Sequence, residues 1–254
     1  QYPASYAEAL TQLAHHIFLQ IGMKDARPPA EQALEVASAH ADKWNTARAL
    51  GFLGLIMGEE HNYAAAQTSL GESQELFREV GDEWGYALAV MWLGWAAYKN
   101  HAGAGALRLF EEALAHFRRL GDRYFQCVCL GSLGQIRAEQ GDWTNGLAEL
   151  RESLTLSREL GSKYETSRRL WRLAEVARGA GKPGHAVQLF LAARKYLNQI
   201  GAWQPEDDDE FEKKVATCRA MLAESESEWA AALEHFKPRF AVLFEDNFNY
   251  LSKM

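Results

Sequence analysis

The 254 residues carry 27 Lys and Arg against 34 Asp and Glu, a formal net charge of -7, which argues against nucleic acid as a direct partner, since phosphate binding needs a basic face. No apolar run approaches membrane-spanning length, so no membrane partner is expected, and the length suits one or two globular domains or a single solenoid. Three cysteines, Cys127, Cys129 and Cys218, form neither a CxxC pair nor an even disulfide framework, and a reducing cytoplasm is the expected setting.

The chain opens on Gln1 rather than Met, as a fragment or processed product would, with no charged-then-apolar leader behind it. In residues 1–41, Tyr6, Leu10, Leu13, Ile17 and Ile21 are spaced for one helical face, and Pro28-Pro29 is expected to begin a second helix. His15-His16 is not a metal pair, since adjacent residues sit about 100° apart on a helix.

From residue 42 to 201 a 40-residue period takes over. Leu53-Gly54, Leu93-Gly94, Leu133-Gly134 and Leu173-Ala174 recur in step, followed by Ala66, Ala106, Gly146 and Ala186, then Leu70, Phe110, Leu150 and Phe190. A turn follows each unit at Val80-Gly81-Asp82, Leu120-Gly121-Asp122, Leu160-Gly161-Ser162 and Ile200-Gly201-Ala202, with aromatics just beyond at Trp44, Trp84, Tyr124 and Tyr164. Breaks at His61-Asn62, Asn100–Gly103, Gly141-Asp142 and Gly181–Gly184 split each unit into two helices. Asp82, Asp122 and Ser162 stand where helix N-caps are needed.

Leu-Gly on a first helix and Ala-x-x-x-aromatic on a second resemble the tetratricopeptide (TPR) repeat, here longer than its usual length of about 34 residues. The expected fold is all-α: a TPR-like superhelical solenoid of antiparallel helix pairs with a C-terminal helical cap. Residues 1–41 read as a degenerate first repeat, 42–201 as four repeats, and 202–254 as the cap. In that last stretch Glu206–Asp209 opens a helix with Phe211, Val215, Cys218 and Leu222 in one stripe. Ser225–Glu228 opens another, with Trp229, Leu233, Phe236, Phe240 and Phe244, which Pro238 is expected to kink or end.

No catalytic constellation emerges. Gly179-Ala180-Gly181-Lys182 lacks the earlier Gly of a phosphate loop, where Val176 stands, and its Ser or Thr, where Pro183 stands. There is no GxSxG, no zinc-ligand spacing and no cofactor motif, and the expected catalytic and metal sites are none.

In TPR arrays the first helices line the concave face, so side chains flanking the Leu-Gly pair project into a groove. Those columns hold Arg48, Leu88, Val128 and Arg168; Gly51, Met91, Gly131 and Trp171; Phe52, Trp92, Ser132 and Arg172; Leu55, Trp95, Gln135 and Glu175; and Gly58, Tyr98, Ala138 and Arg178. The expected ligand site is Arg48, Met91, Trp95, Tyr98, Gln135, Arg168, Trp171, Arg172 and Glu175. In it an apolar wall of Met91, Trp95 and Tyr98 faces arginines that take an anionic or polar group.

The long-period repeats, with Ala186–Ala193, the Gly201-x-x-x-Pro205 turn, Phe211-Glu212, Cys218-Arg219 and the Trp229 helix, resemble the C-terminal region of bacterial STAND-class signal-transduction ATPases of the MalT-like regulator type. The resemblance implies a non-enzymatic sensor whose repeats bind an inducer, a small molecule or a peptide, and so control an ATPase module of the same polypeptide. A general protein-interaction scaffold is the alternative, its partner another protein.

Overall fold

The computed structural model describes residues 2–20, 23–203 and 206–224, which form two compact units divided after Ser162. Among these residues there are eleven helices and no strand. The expected helix from Ser225 onward lies outside the described residues, as does Ile21.

The first unit holds α1 (Tyr2–Gln20), α2 (Met23–Ala39), α3 (Lys43–Glu59), α4 (Tyr63–Val80), α5 (Glu83–Lys99), α6 (Gly103–Leu120), α7 (Arg123–Glu139) and α8 (Trp143–Glu159). They pair in order as hairpins, and the hairpin beginnings Lys43, Glu83 and Arg123 keep the 40-residue step. The three hairpins from α3 onward each start from a side-chain cap. Asp42, Asp82 and Asp122 accept the backbone N–H groups of Asn45, Gly85 and Phe125 at 3.1, 2.9 and 3.1 Å. These bonds satisfy N–H groups that a helix start leaves without partners. The second helices α4 and α6 end in a left-handed residue, Gly81 at φ 74° and Gly121 at φ 71°, from which the next helix departs. The turn inside the hairpin uses the same conformation, but with His61 at φ 64° and His101 at φ 59°, where a side chain is strained.

Within a hairpin the helices cross at small residues. Ser73 donates to the Ala47 carbonyl at 2.7 Å, and 80 residues later Ser153 donates to the Cys127 carbonyl at 2.6 Å. Between them in register, Ala113 and Ala87 are both fully buried. The core of the middle repeats gathers Val90, Met91, Phe110, Phe117, Leu130, Leu133 and Ile136. At α7–α8 the backbones come close, because Gly134 faces Gly146: a Cβ at Gly134 would lie 2.7 Å from the Gly146 carbonyl oxygen. Ion pairs clip the open ends of the three hairpins from α3 onward. Lys43 meets Glu79 at 2.9 Å, Glu83 meets Arg119, and Arg123 meets Glu159, so the sign order reverses at each repeat.

Two features of the first hairpin differ from the sequence reading. The helix α2 begins at Met23, so Pro28 and Pro29 lie inside it rather than at its start. Its buried stripe is Ala26, Ala30, Ala33 and Ala37, whose small side chains let it sit close to α1 and α3. In α1 the buried positions are Ala7, Leu10, Thr11 and Ala14, while Tyr6 and Leu13 are about half exposed. Leu53 and Leu133, the register equivalents of Leu13, are 3% and 1% exposed. The difference follows from position: no described repeat precedes α1 to cover Leu13.

The second unit holds α9 (Lys163–Gly179), α10 (Pro183–Gln199) and α11 (Glu206–Glu224). Ala174, Ala186 and Phe190 form the hairpin core, and α11 lays Phe211, Val215 and Cys218 against it, all buried.

Candidate ligand groove

In the first unit, the starts of α3 and α5 place aromatic side chains on a groove of about 470 Å³. Its walls are Trp44, Phe52, Trp84, Leu88, Trp92 and Phe125, with Glu8, Gln12, His15, Arg48 and Asp82 as its polar groups. The capping aspartates do a second job here. The free oxygen of Asp82 accepts the Trp44 indole N–H at 2.8 Å, and that of Asp122 accepts the Trp84 N–H at 3.0 Å. Each cap therefore holds the tryptophan of the preceding repeat, and the device recurs at one 40-residue step. Trp84 also meets Phe125 edge to face at 5.6 Å, and Phe125 stacks on Phe117 at 4.9 Å.

The floor of the groove is electrostatically matched. Arg48 lies over the Trp44 ring at 4.7 Å and pairs with Glu8 at 3.5 Å. His15 meets Phe52 edge to face at 5.8 Å. Burial, then the charges of Arg48 and His16, hold its pKa below the ordinary imidazole value, which favours its neutral form. An apolar cleft with rigid indole walls and a few oriented polar groups suits a side chain or ring with a polar edge. Among the described residues no group of three or more His, Cys, Asp or Glu is placed to hold a metal ion. No described helix is long and apolar enough to cross a membrane.

Of the residues expected from sequence, Arg48 lines this groove. Met91 does not, being 6% exposed in the core. Trp95 lies against the α3 backbone: a Cβ at Gly58 would fall 2.3 Å from its ring. The space that Gly51 and Gly58 leave is thus filled by Trp92 and Trp95 of the next repeat. Tyr98 donates to Glu139 at 2.9 Å and accepts from Gln135 at 2.9 Å, a bridge between α5 and α7.

The remaining expected residues belong to the second unit. Arg168 and Trp171 line a separate niche of about 270 Å³. Arg168 pairs with Glu165 at 3.4 Å, Arg178 with Glu175 at 2.9 Å, and the fully buried Arg169 with Glu165, while Lys214 also bonds Glu175. Arg172 is half-buried on the same helix. Most of the arginine cluster is thus matched by carboxylates of its own helix, three or four residues away, which side-chain spacing along a helix favours.

Sequence reasoning passed over Trp44, Trp84 and the α1 residues. The recurrence of aromatics at the second position after each turn was the signal for the tryptophans. Side chains on a helix lean toward its N-terminus, so a residue in the first turn covers the junction with the preceding repeat.

No protein-family model matches the sequence, and no curated protein matches it. Solved structures do resemble its fold. A Rap protein complexed with competence and sporulation factor matches 87% of this chain at a TM-score of 0.64 and 16% identity, over 66% of its own length. A signal transduction ATPase with numerous domains (STAND) protein with a tetratricopeptide repeat sensor, from Pyrococcus horikoshii, matches 85% at 0.66 and 17%, over 32% of its length. BtubC (BKLC) from P. vanneervenii matches 80% at 0.64 and 16%, over 84% of its length. The chain thus spans about a third of the STAND protein and 66% of the Rap protein. The fold is that of TPR-like helical repeat proteins.

Proposed function

We propose that this chain is a non-enzymatic recognition domain that binds a short peptide, or a small molecule of like chemistry, in the groove of its first unit. The observation that carries the reading is the pair of tryptophans, Trp44 and Trp84, each held in place by the N-cap aspartate of the next repeat. Pre-fixed aromatic walls gain contact area with little loss of side-chain freedom, which favours binding. Arg48, fixed between Glu8 and Trp44, supplies a cation that a ligand carbonyl or carboxylate can share. The repeat sensor of the STAND protein and the factor bound by the Rap protein support a sensor role, with the ligand signal passed to an ATPase module of the same polypeptide.

Peptide-array screening of the purified chain, followed by calorimetric titration of the best peptide, tests this reading. Trp84→Ala and Arg48→Ala are each expected to weaken binding at least about tenfold, or roughly 1.4 kcal/mol, with helical content unchanged. Affinity equal to wild type in both variants would remove the ligand from this groove.

A further inference from the structure

The groove of the first unit matches its charges from within. Arg48 lies over the Trp44 ring at 4.7 Å and pairs with Glu8 at 3.5 Å. Asp82 gives one oxygen to the Gly85 N–H at 2.9 Å and the other to the Trp44 indole at 2.8 Å. A charged ligand group therefore meets no unmatched counter-charge on Arg48 or Asp82, and covering it there would be costly. Much of the remaining wall is ring and alkyl surface, from Phe52, Trp84, Leu88 and Trp92.

One group of the lining keeps a hydrogen-bonding oxygen in reserve. Glu8 accepts from Gln12 at 3.2 Å and meets Arg48 at 3.5 Å, both through Oε1, and its side chain is 44% exposed. Elsewhere the chain gives its aromatic donors to carboxylates repeatedly. Trp44 donates to Asp82 and Trp84 to Asp122, while the hydroxyls of Tyr86 and Tyr98 donate to Glu112 and Glu139 at 2.7 and 2.9 Å. Among the described residues no tyrosine or tryptophan makes that bond to Glu8. Phenol and indole are apolar bodies with one polar tip, and a carboxylate oxygen beside a ring-lined hollow is the acceptor that such a tip needs.

We propose that the groove selects an uncharged aromatic side chain with a ring donor, tyrosine or tryptophan, its ring packed against Phe52, Trp84 and Trp92 and its O–H or N–H donated to Glu8 Oε2. The inference rests on the recognition role proposed above and names the side chain that the ligand presents. Phenylalanine fills the same space but leaves the carboxylate without a donor, and a site built for a hydroxyl discriminates against the analogue that lacks it. Arginine and glutamate side chains bring a charge that the matched pairs do not answer. Arg48 stays beside Glu8 and remains open to a backbone carbonyl of the same ligand.

The test is nuclear magnetic resonance of the full chain with nitrogen-15 in its tryptophan indoles, Trp44→Phe and Trp84→Phe assigning the two groove signals. The probes are the N-acetyl amides of tyrosine, phenylalanine, arginine and glutamate. Saturable movement of the Trp84 signal by the tyrosine probe is expected, with phenylalanine at least about fivefold weaker and the two charged probes weaker still. Glu8→Ala should bring tyrosine down to the affinity of phenylalanine, whose own binding stays as in wild type and so reports an intact groove. Equal binding of tyrosine and phenylalanine to the wild-type chain would overturn the inference, whatever the variant does to folding. Tyrosine preference that survives Glu8→Ala would overturn it too, as would tighter binding of the arginine or glutamate probe. Each of these results leaves the groove itself as a recognition site. If no probe moves either signal the inference also falls, and the peptide titration decides separately whether the groove binds.

Discussion

Ser153 donates its hydroxyl to the Cys127 carbonyl at 2.6 Å across the α7–α8 crossing, and Ser73 makes the same bond to Ala47 at 2.7 Å. Between these two repeats the position is Ala113, facing Ala87. Ser153→Ala is expected to lose about 1 kcal/mol, the net value of a buried hydrogen bond. Ala113→Ser should be neutral or slightly stabilising, because the register presents a carbonyl to the new hydroxyl. Urea unfolding of the three proteins measures both, and a loss above about 1.5 kcal/mol for Ala113→Ser would contradict the shared register.

Gly134 and Gly94 occupy the same column but different spaces. A Cβ at Gly134 meets backbone, the Gly146 oxygen at 2.7 Å and the Leu150 nitrogen at 2.9 Å. At Gly94 it meets only side chains, Leu109 and Phe110, no closer than 3.2 Å. Gly134→Ala should therefore be destabilising by about 1–3 kcal/mol through overpacking, while Gly94→Ala should lose less than half as much. Melting temperatures that fall equally for both would refute this ordering.

His61 and His101 adopt left-handed conformations that cost a side-chain-bearing residue about 1–2 kcal/mol. Glycine relieves that strain but gives the unfolded chain more freedom, worth about 0.4–1 kcal/mol. His101→Gly is accordingly expected to stabilise the fold by about 0.5–1 kcal/mol. Gly121→Ala should do the reverse. Thermal unfolding of the two single variants checks the opposite signs.

His15 has a folded-state pKa below its ordinary value through burial, then Arg48 and His16. The folded state thus binds its proton less readily than the unfolded state does. The stability it contributes is present above about pH 6.5 and is lost as pH falls through that value toward the folded pKa. His15→Gln is expected to flatten the fall in melting temperature between pH 7.5 and 5.5. A variant whose melting temperature tracks wild type across that window would exonerate His15.

The helix pairs were legible because the period is carried by residues that packing cannot replace cheaply: Leu53 and Leu133, Gly54 and Gly134, Ala66 and Ala106. The caps were legible in part, since Asp82 and Asp122 follow glycines that must be left-handed. What the columns could not convey was which flank of each first helix turns toward a neighbour. Met91 and Trp95 share the groove columns with Arg48, yet one enters the core and the other rests over Gly58. A groove column specifies an angle on one helix, whereas burial depends on what the adjoining repeat presents there. Glycine at Gly58 leaves room for an indole, and nothing in the Trp95 segment itself records it. The arginines of α9 follow the same rule: their partners, Glu165 and Glu175, stand on the same helix three or four residues away, which the groove columns do not display.

The alternating clips, Lys43 to Glu79, Glu83 to Arg119 and Arg123 to Glu159, add little to stability, since exposed pairs are worth about 0–1 kcal/mol. Their sign order gives them another consequence. Near-identical hairpins risk exchanging partners while the chain folds, or trading a helix with a second molecule. If α3 closed on α6, Lys43 would face Arg119; if α5 closed on α4, Glu83 would face Glu79. Among these three hairpins every slip by one repeat sets like charge on like charge, so the sign order disfavours mispairing of near-identical units.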